Sequence, residues 1–343
     1  MFRVSDNIFI IAELSANHNN DYELAARTVR AMAEAGADAV KVQTYTADSL
    51  ALNVDNDIFG KPLGGLWEGR RLWELYQEAS MPYEWQPKLR DLANELGLEF
   101  FSSPFDLEGV EFLESLGVPY YKIASFEITD IPLIRATAAT GKPVIISTGV
   151  AEESDIELAV KTCFDTGNEQ LTLLKCTSNY PATLDDANLN TMVDMRSRFG
   201  VSVGLSDHTM GSIVPTAAAA LGATVIEKHF ILDRSLGGPD SGFSMEPKEF
   251  AAMAKDVRSV ERSLGRIKYD VSEQDKLRRR SLYATQDICH GELITSENVR
   301  SLRTGFGLPP KYLSSILEKP AVRAYRAGDP ISDDELRGEN SSL

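Results

Sequence analysis

The stretch VSVGLSDHTMGSIVPTAAAALGATVIEKHF (201–230) decides the fold. Two short apolar runs rich in β-branched residues, 201–208 and 224–230, read as strands, and the alanine-rich stretch between them reads as a helix. No hairpin signal separates the runs, so the connection is a crossover and the two strands are parallel. Each run ends in polar groups: Ser206, Asp207 and His208 in one, Glu227, Lys228 and His229 in the other.

The same unit recurs toward the N-terminus. Strand-like runs cover 8–13, 39–44, 99–104, 120–125, 143–149 and 171–178, which makes eight with the two above. Amphipathic stretches such as 25–35 and 87–96 lie between them, and a long segment rich in Gly and Trp is inserted at 46–83. An open doubly wound sheet and a closed barrel both fit this order. Eight strands favour the barrel, a fold of typically about 250 residues. The first strand runs into ELSANHN (13–19) with no Gly-x-Gly-x-x-Gly, so a dinucleotide site is not expected.

The expected fold class is therefore α/β, a TIM-type (β/α)8 barrel over 1–265. A charged stretch at 266–280 reads as a linker, and 281–338 reads as a small β-rich domain. In that tail GELITSENV (291–299) and GDPISDDEL (328–336) form a weak repeat. Each has a turn Gly, an Ile, and a Ser or Thr suited to cap a one-turn helix.

Among the 343 residues, 35 Lys and Arg stand against 51 Asp and Glu, a formal net charge of −16. That argues against nucleic acid or an anionic membrane surface as the main partner. A small anionic substrate stays open, because net charge is not local field. Cys163, Cys176 and Cys289 make neither a disulfide framework nor a zinc pattern, so a reducing, cytoplasmic location is expected. No apolar run approaches the roughly 18 residues of a membrane span. The N-terminus does not read as a signal peptide.

In such a barrel, chemistry sits at the C-terminal ends of the strands. Those ends carry Glu13, then Lys41 with Gln43, Ser103, Lys122 with Ser125 and Glu127, Ser147, Ser178 with Tyr180, Ser206 with His208, and His229. Lysine inside a strand calls for an anionic partner, which singles out Lys41 and Lys122. Converging Lys, Ser and Thr donors make a phosphate or carboxylate site. The serines can equally satisfy strand-end backbone groups. His208 and His229 end adjacent strands, about 4.8 Å apart, and could share a divalent metal ion; two neutral rim histidines are the other reading. The Gly- and Pro-rich loop 232–241 offers Asp240 as a substrate-facing acid, and 303–311 is either a functional loop or a plain connector.

These motifs together resemble the bacterial sialic acid synthase family, the nonulosonate synthases. The resemblance runs through IAELSANHN (11–19), KVQT (41–44), FSSPF (101–105), YKIA (121–124), ISTG (146–149), KCTS (175–178), LSDHT (205–209), EKHF (227–230), RRSL (279–282) and GELIT (291–295). It implies a TIM barrel followed by an antifreeze-like (SAF) domain. It also implies condensation of phosphoenolpyruvate with an open-chain amino sugar to a nine-carbon 2-keto-3-deoxy acid, releasing phosphate. KIASFEITD (122–130), YPAT (180–183) and GFGL (305–308) resemble the branch whose acceptor is 2,4-diacetamido-2,4,6-trideoxy-L-altrose. Phe126 stands where N-acetylneuraminate synthases usually have Gly. Synthesis of N-acetylneuraminate or legionaminate is the first alternative, and a non-catalytic sugar-binding or coat-assembly protein is the second.

By the resemblance, Lys41, Ser103, Lys122, Ser125, Ser147, Ser178 and Ser206 hold phosphoenolpyruvate, with Ser178 replacing an Asn. Glu13 stabilises developing positive charge, and His208 and His229 bind Mn²⁺, with Mg²⁺ or Co²⁺ as alternatives. Gln43, Glu127, Tyr180 and Asp240 face the sugar. Arg303 reaches a second chain's barrel in a domain-swapped homodimer. Flagellin or a surface polysaccharide is the family's usual destination for the product.

Overall fold

The structure, a computed structural model, describes Ser5 and residues 7–337. The start of the expected barrel range and Gly338 of the expected tail domain lie outside the described residues. The chain divides into two compact units, Met1–Gly265 and Arg266–Leu343.

In the first unit eight parallel strands close a barrel in chain order: β1 (Phe9–Glu13), β2 (Ala39–Thr44), β3 (Glu99–Pro104), β4 (Tyr121–Ile123), β5 (Val144–Ser147), β6 (Leu171–Cys176), β7 (Ser202–Asp207) and β8 (Val225–His229). β8 pairs with β1, setting His229 opposite Glu13, and β1 pairs with β2, setting Glu13 opposite Lys41. All eight expected runs form barrel strands. β4 to β7 stop short of their expected C-terminal ends because Ser125, Thr148, Gly149, Thr177, Ser178 and His208 leave the ladder for the loops. Ser125–Glu127 forms a 3-10 turn instead of continuing β4.

The helices of this unit are α1 (Tyr22–Glu34), α2 (Ala47–Leu50), α3 (Leu72–Ala79), α4 (Gln86–Glu95), α5 (Leu107–Leu116), α6 (Ile131–Ala139), α7 (Glu153–Asp165), α8 (Asn190–Phe199), α9 (Ile213–Ala220) and α10 (Pro247–Leu264). α1 starts earlier than periodicity alone suggests, because the Asp21 carboxylate accepts hydrogen bonds from the Glu23 and Leu24 amides. α2 and α3 both lie within the inserted segment 46–83.

The barrel is filled, not hollow. Strand pleat sends alternate side chains inward. At its N-terminal end the rings of Phe9 and Phe101 pack on Tyr120 at 5.6 and 5.8 Å. Gly204 permits close approach of the wall, since a Cβ there would lie 2.4 Å from the Val225 carbonyl oxygen. Outward strand residues such as Val40, Phe100 and Ile226 join α1, α4 and α5 residues in the surrounding apolar core.

The second unit holds an antiparallel pair, β9 (Arg280–Ala284) and β10 (Val299–Arg303), with Arg303 opposite Arg280. It has its own core, including Leu282, Ile288, Ile294, Tyr325 and Ile331. The charged stretch contains a single helical turn, α11 (Glu273–Lys276), and the Gly305 amide donates to the Leu277 carbonyl at 2.8 Å. After α12 (Leu313–Ile316), the second copy of the tail repeat ends in α13 (Asp334–Arg337), with the Ser332 hydroxyl accepting from the Asp334 amide. The first copy makes only a turn, because Val299 already opens β10.

Candidate active site

The two-residue pleat sorts the strand-end residues of the first unit between two faces. On β8, Glu227 and His229 point into the barrel mouth. Lys228 between them points away, and its Nζ pairs with Asp207 at 2.6 Å, both fully buried. That pair is structural. The same alternation brings Lys41 and Gln43 inward from β2, and Ser206 inward from β7 with His208 beyond it.

At the mouth a buried array of opposite charges forms. Lys41 Nζ lies 2.5 Å from Glu13 Oε2, 3.6 Å from Glu227 Oε1 and 3.4 Å from Ser103 Oγ. Lys122 Nζ lies 3.3 Å from the same Glu227 oxygen, which also accepts from Ser206 Oγ at 3.3 Å. Glu227 thus joins both lysines, and its second oxygen has no hydrogen-bond partner among the described residues. Burial pushes the Glu13 carboxyl up to about 7, with the charge of Lys41 opposing. Burial also works against Glu227, but Lys122 and Lys41 outweigh it and hold its pKa below the ordinary carboxylate value. Burial lowers Lys122 below the usual lysine range.

Polar groups ring this array. Gln43 Nε2 donates to Glu13 Oε1 at 3.1 Å and to Ser15 Oγ at 3.0 Å. Asp240 accepts from the Ser15 hydroxyl and from the Ala16 amide, and burial raises its pKa. Ser125 Oγ accepts from the Gly149 amide at 3.1 Å. Buried Ser147 Oγ and Glu127 Oε2 have no hydrogen-bond partner among the described residues, and burial pushes Glu127 up to about 7. Orphaned buried polar atoms facing a cavity call for a polar ligand.

The two histidines meet as expected, with ring centroids 5.2 Å apart. His208 Nδ1 lies 2.9 Å from the Thr177 carbonyl and donates to it. Burial works against the charged ring, but Cys176 and that carbonyl raise His208 above the ordinary histidine value. Nε2 thus offers a lone pair once the ring gives up its second proton. His229 Nδ1 is buried, without a hydrogen-bond partner among the described residues, 3.9 Å from Asp240 Oδ2. Burial, His208 and the nearby lysines hold His229 well below its ordinary pKa, so it is neutral. Two imidazole nitrogens beside a carboxylate are the donor types a divalent cation with open positions takes, once His208 is deprotonated. Among the described residues no group of three or more His, Cys, Asp or Glu side chains is arranged to hold a metal ion, so the protein would supply the ion with two nitrogens. His18, by contrast, is a structural histidine: buried, accepting from the Asn20 amide, and lowered to about 4 by that burial.

A cavity of about 310 Å³ opens onto these groups, within the range of small-molecule sites. Lys41, Gln43, Lys122, Ser125, Glu127, Ser147, Tyr180, Ser206, His208, His229 and Asp240 line it. Glu13 and Ser103 lie fully buried behind the lining, touching Lys41. Ser178 sits at the edge, its Oγ 3.8 Å from Cys176 Sγ. Arg303 ends β10 in the other unit.

Sequence reasoning passed over three kinds of residue. Glu227 was legible as a strand-end acid, but nothing in sequence separates it from its neighbour Lys228. Cys176 lines the cavity with its sulfur 4.0 Å from His208 Nδ1; burial would raise its thiol, yet His208 outweighs that and brings it to about 7. The aromatic rings of Tyr45, Trp67, Tyr76 and Phe243 line the rest.

A βα barrel with two lysines, two carboxylates and hydroxyl donors at its C-terminal mouth defines a barrel enzyme acting on an anionic small molecule. The chain belongs to the NeuB family: the family model matches residues 28–269, and a SAF domain model matches 279–337. It is 45% identical over 339 residues to a pseudaminic acid synthase of Campylobacter jejuni, covering 98% of each chain. It is 46% identical over 331 residues to a pseudaminic acid synthase of Helicobacter pylori, covering 95% of this chain and 97% of that one. Among solved structures, it resembles an N-acetylneuraminic acid synthetase of Leptospira borgpetersenii crystallised with citrate, with a TM-score of 0.70 and 33% identity. That match covers 79% of this chain and 90% of the other.

Proposed function

We propose that this chain condenses phosphoenolpyruvate with 2,4-diacetamido-2,4,6-trideoxy-L-altrose to give pseudaminic acid and phosphate. The observation that carries the reading is the buried array of Glu13, Lys41, Glu227 and Lys122 at the barrel mouth, ringed by Ser103, Ser125, Ser147 and Ser206. The two pseudaminic acid synthases of comparable length support the choice of acceptor.

In this reading Lys41 and Lys122 bind the phosphate and carboxylate of phosphoenolpyruvate, helped by the serine hydroxyls including Ser178. Carbon 3 of the enol attacks the aldehyde carbon of the open-chain sugar. Positive charge develops at carbon 2, where the Glu13 carboxylate stabilises it. With a pKa of about 7, Glu13 can also take a proton from the water that adds there. The resulting tetrahedral centre expels phosphate with cleavage of the C–O bond. Gln43, Glu127, Tyr180 and Asp240 orient the sugar. His208 and His229 would hold a divalent ion, Mn²⁺ in our reading, whose chemistry is Lewis-acid polarisation of an oxygen.

The proposal extends to the assembly. We assign 1–265 as the synthase domain, 266–280 as linker and 281–338 as the SAF domain. We further propose a cytoplasmic, domain-swapped homodimer in which Arg303 serves the other chain's barrel, and flagellin glycosylation as the use of the product. Phosphate release with phosphoenolpyruvate, Mn²⁺ and a panel of amino sugars tests the reading. Release with the altrose derivative supports it. Release only with N-acetylmannosamine overturns the acceptor, and no release with any sugar overturns the reaction.

A further inference from the structure

The inserted segment 46–83 has a feature that the condensation chemistry leaves unused. Every cavity-lining residue it supplies is apolar or aromatic, among them Leu50, Leu63, Trp67, Leu72, Leu75 and Tyr76. On α3 the lining positions Leu72, Leu75, Tyr76 and Ala79 follow helical spacing, so one whole face of the helix looks into the cavity. The segment's charges lie elsewhere: Arg71 pairs with Glu74 at 2.7 Å, and Arg70 pairs with Glu78, all in solvent. None of the six apolar residues belongs to the core around the barrel. Leu75 is buried, while Leu50, Leu63, Trp67, Leu72 and Tyr76 keep part of their surface uncovered. The wall is also held in place. Trp67 Nε1 donates to the Pro239 carbonyl at 2.9 Å, beside Asp240, and the Trp67 ring lies 6.1 Å from Tyr180.

The cavity thus has a charged floor, made by the strands, and an apolar wall, made by the insertion. A ligand that fills it is anionic or strongly polar at one end and methyl-rich at the other. We propose that this wall sets acceptor specificity. It receives the methyl groups of the sugar, the deoxygenated carbon 6 and the acetamido methyls, and selects 6-deoxy, di-N-acylated acceptors over 6-hydroxy ones. A hydroxyl placed against the Leu63, Leu72 and Leu75 side chains finds no donor or acceptor on them and loses its water. Of the wall's two polar tips, the Trp67 N–H already donates to Pro239, and the Tyr76 hydroxyl is the other. The inference rests on the synthase reading above and names the part of the chain that chooses the sugar. Apolar pockets discriminate by about 10–200-fold per methylene and reject an added hydroxyl by about 100-fold.

The test compares kcat/KM for 2,4-diacetamido-2,4,6-trideoxy-L-altrose with that for its 6-hydroxy counterpart, at saturating phosphoenolpyruvate and Mn²⁺. Wild type is expected to prefer the 6-deoxy sugar by about 10–200-fold. Leu72→Asn is expected to cut that preference about tenfold or more, while the KM for phosphoenolpyruvate stays unchanged and reports an intact floor. Leu72→Met is expected to keep the preference, and Leu63→Asn, outside the helix, repeats the loss if the helix variant does not fold. Retained preference in both Asn variants overturns the inference, as does an equal loss for both acceptors. Equal use of the two sugars by wild type overturns the wall and leaves the synthase reading standing. No phosphate release with any acceptor overturns that reading and the wall with it.

Discussion

Replacing Glu227 with Gln keeps the side chain's shape and removes one charge from the array. Glu227 Oε1 lies 3.3 Å from Lys122 Nζ and 3.6 Å from Lys41 Nζ, and the three side chains are 5%, 2% and 4% exposed. At an effective dielectric constant of about 20, each contact is an attraction of about 5 kcal/mol, offset in the native protein by the cost of burying the charges. Taking one partner away keeps that burial cost for the lysines and forfeits the attraction, a loss of about 3–5 kcal/mol. Lys122 is left with no carboxylate within salt-bridge distance among the described residues. An anion in the cavity then supplies the missing charge. The expected result is a lower unfolding midpoint for Glu227→Gln and a larger stabilisation by inorganic phosphate than in wild type. Denaturant unfolding followed by tryptophan fluorescence reads the barrel, since Trp67, Trp73 and Trp85, the only tryptophans, all lie in that unit. An unchanged midpoint, or equal stabilisation of both proteins by phosphate, would refute the reasoning.

Glu13 should make stability fall as pH rises. Its carboxyl goes from an ordinary 4.5 to about 7 on folding, so between those values the native state keeps a proton that the unfolded state has lost. The slope is about −1.4 kcal/mol per pH unit, or about 3 kcal/mol across the window. Glu13→Gln should lack this component, and parallel stability–pH curves for the two proteins would contradict it. His229→Ala should abolish divalent-ion binding measured by calorimetry while leaving the unfolding midpoint near that of wild type; unchanged ion binding would remove the assigned role. Arg303→Ala should regain activity when mixed with a Lys122→Met chain, because one site of the mixed dimer then has both an intact barrel and an intact Arg. Absence of regain counts against exchange between chains.

Much of this molecule was legible in the amino-acid order. Eight apolar runs separated by amphipathic stretches called for parallel strands with crossovers, and a barrel formed. Polar residues at the run ends marked the mouth; Lys41 and Lys122 were singled out because a lysine inside a strand calls for an anionic partner, and His208 and His229 because they end adjacent strands. Period-two alternation also said that Lys41 shares a face with Gln43.

Alternation says which residues share a face and not which face turns inward. Only closure of the barrel, with β8 against β1, gave Glu227 to the two lysines and Lys228 to Asp207. The inserted segment was opaque for a related reason. α3 spans only Leu72–Ala79, too short a window for periodicity to stand out, and its apolar face packs on a cavity and not on the core. Local order fixes what each strand and helix carries. Which charges neutralise one another, and which apolar faces are left for a ligand, depends on distances between elements far apart in the chain, and those exist only once the barrel has closed.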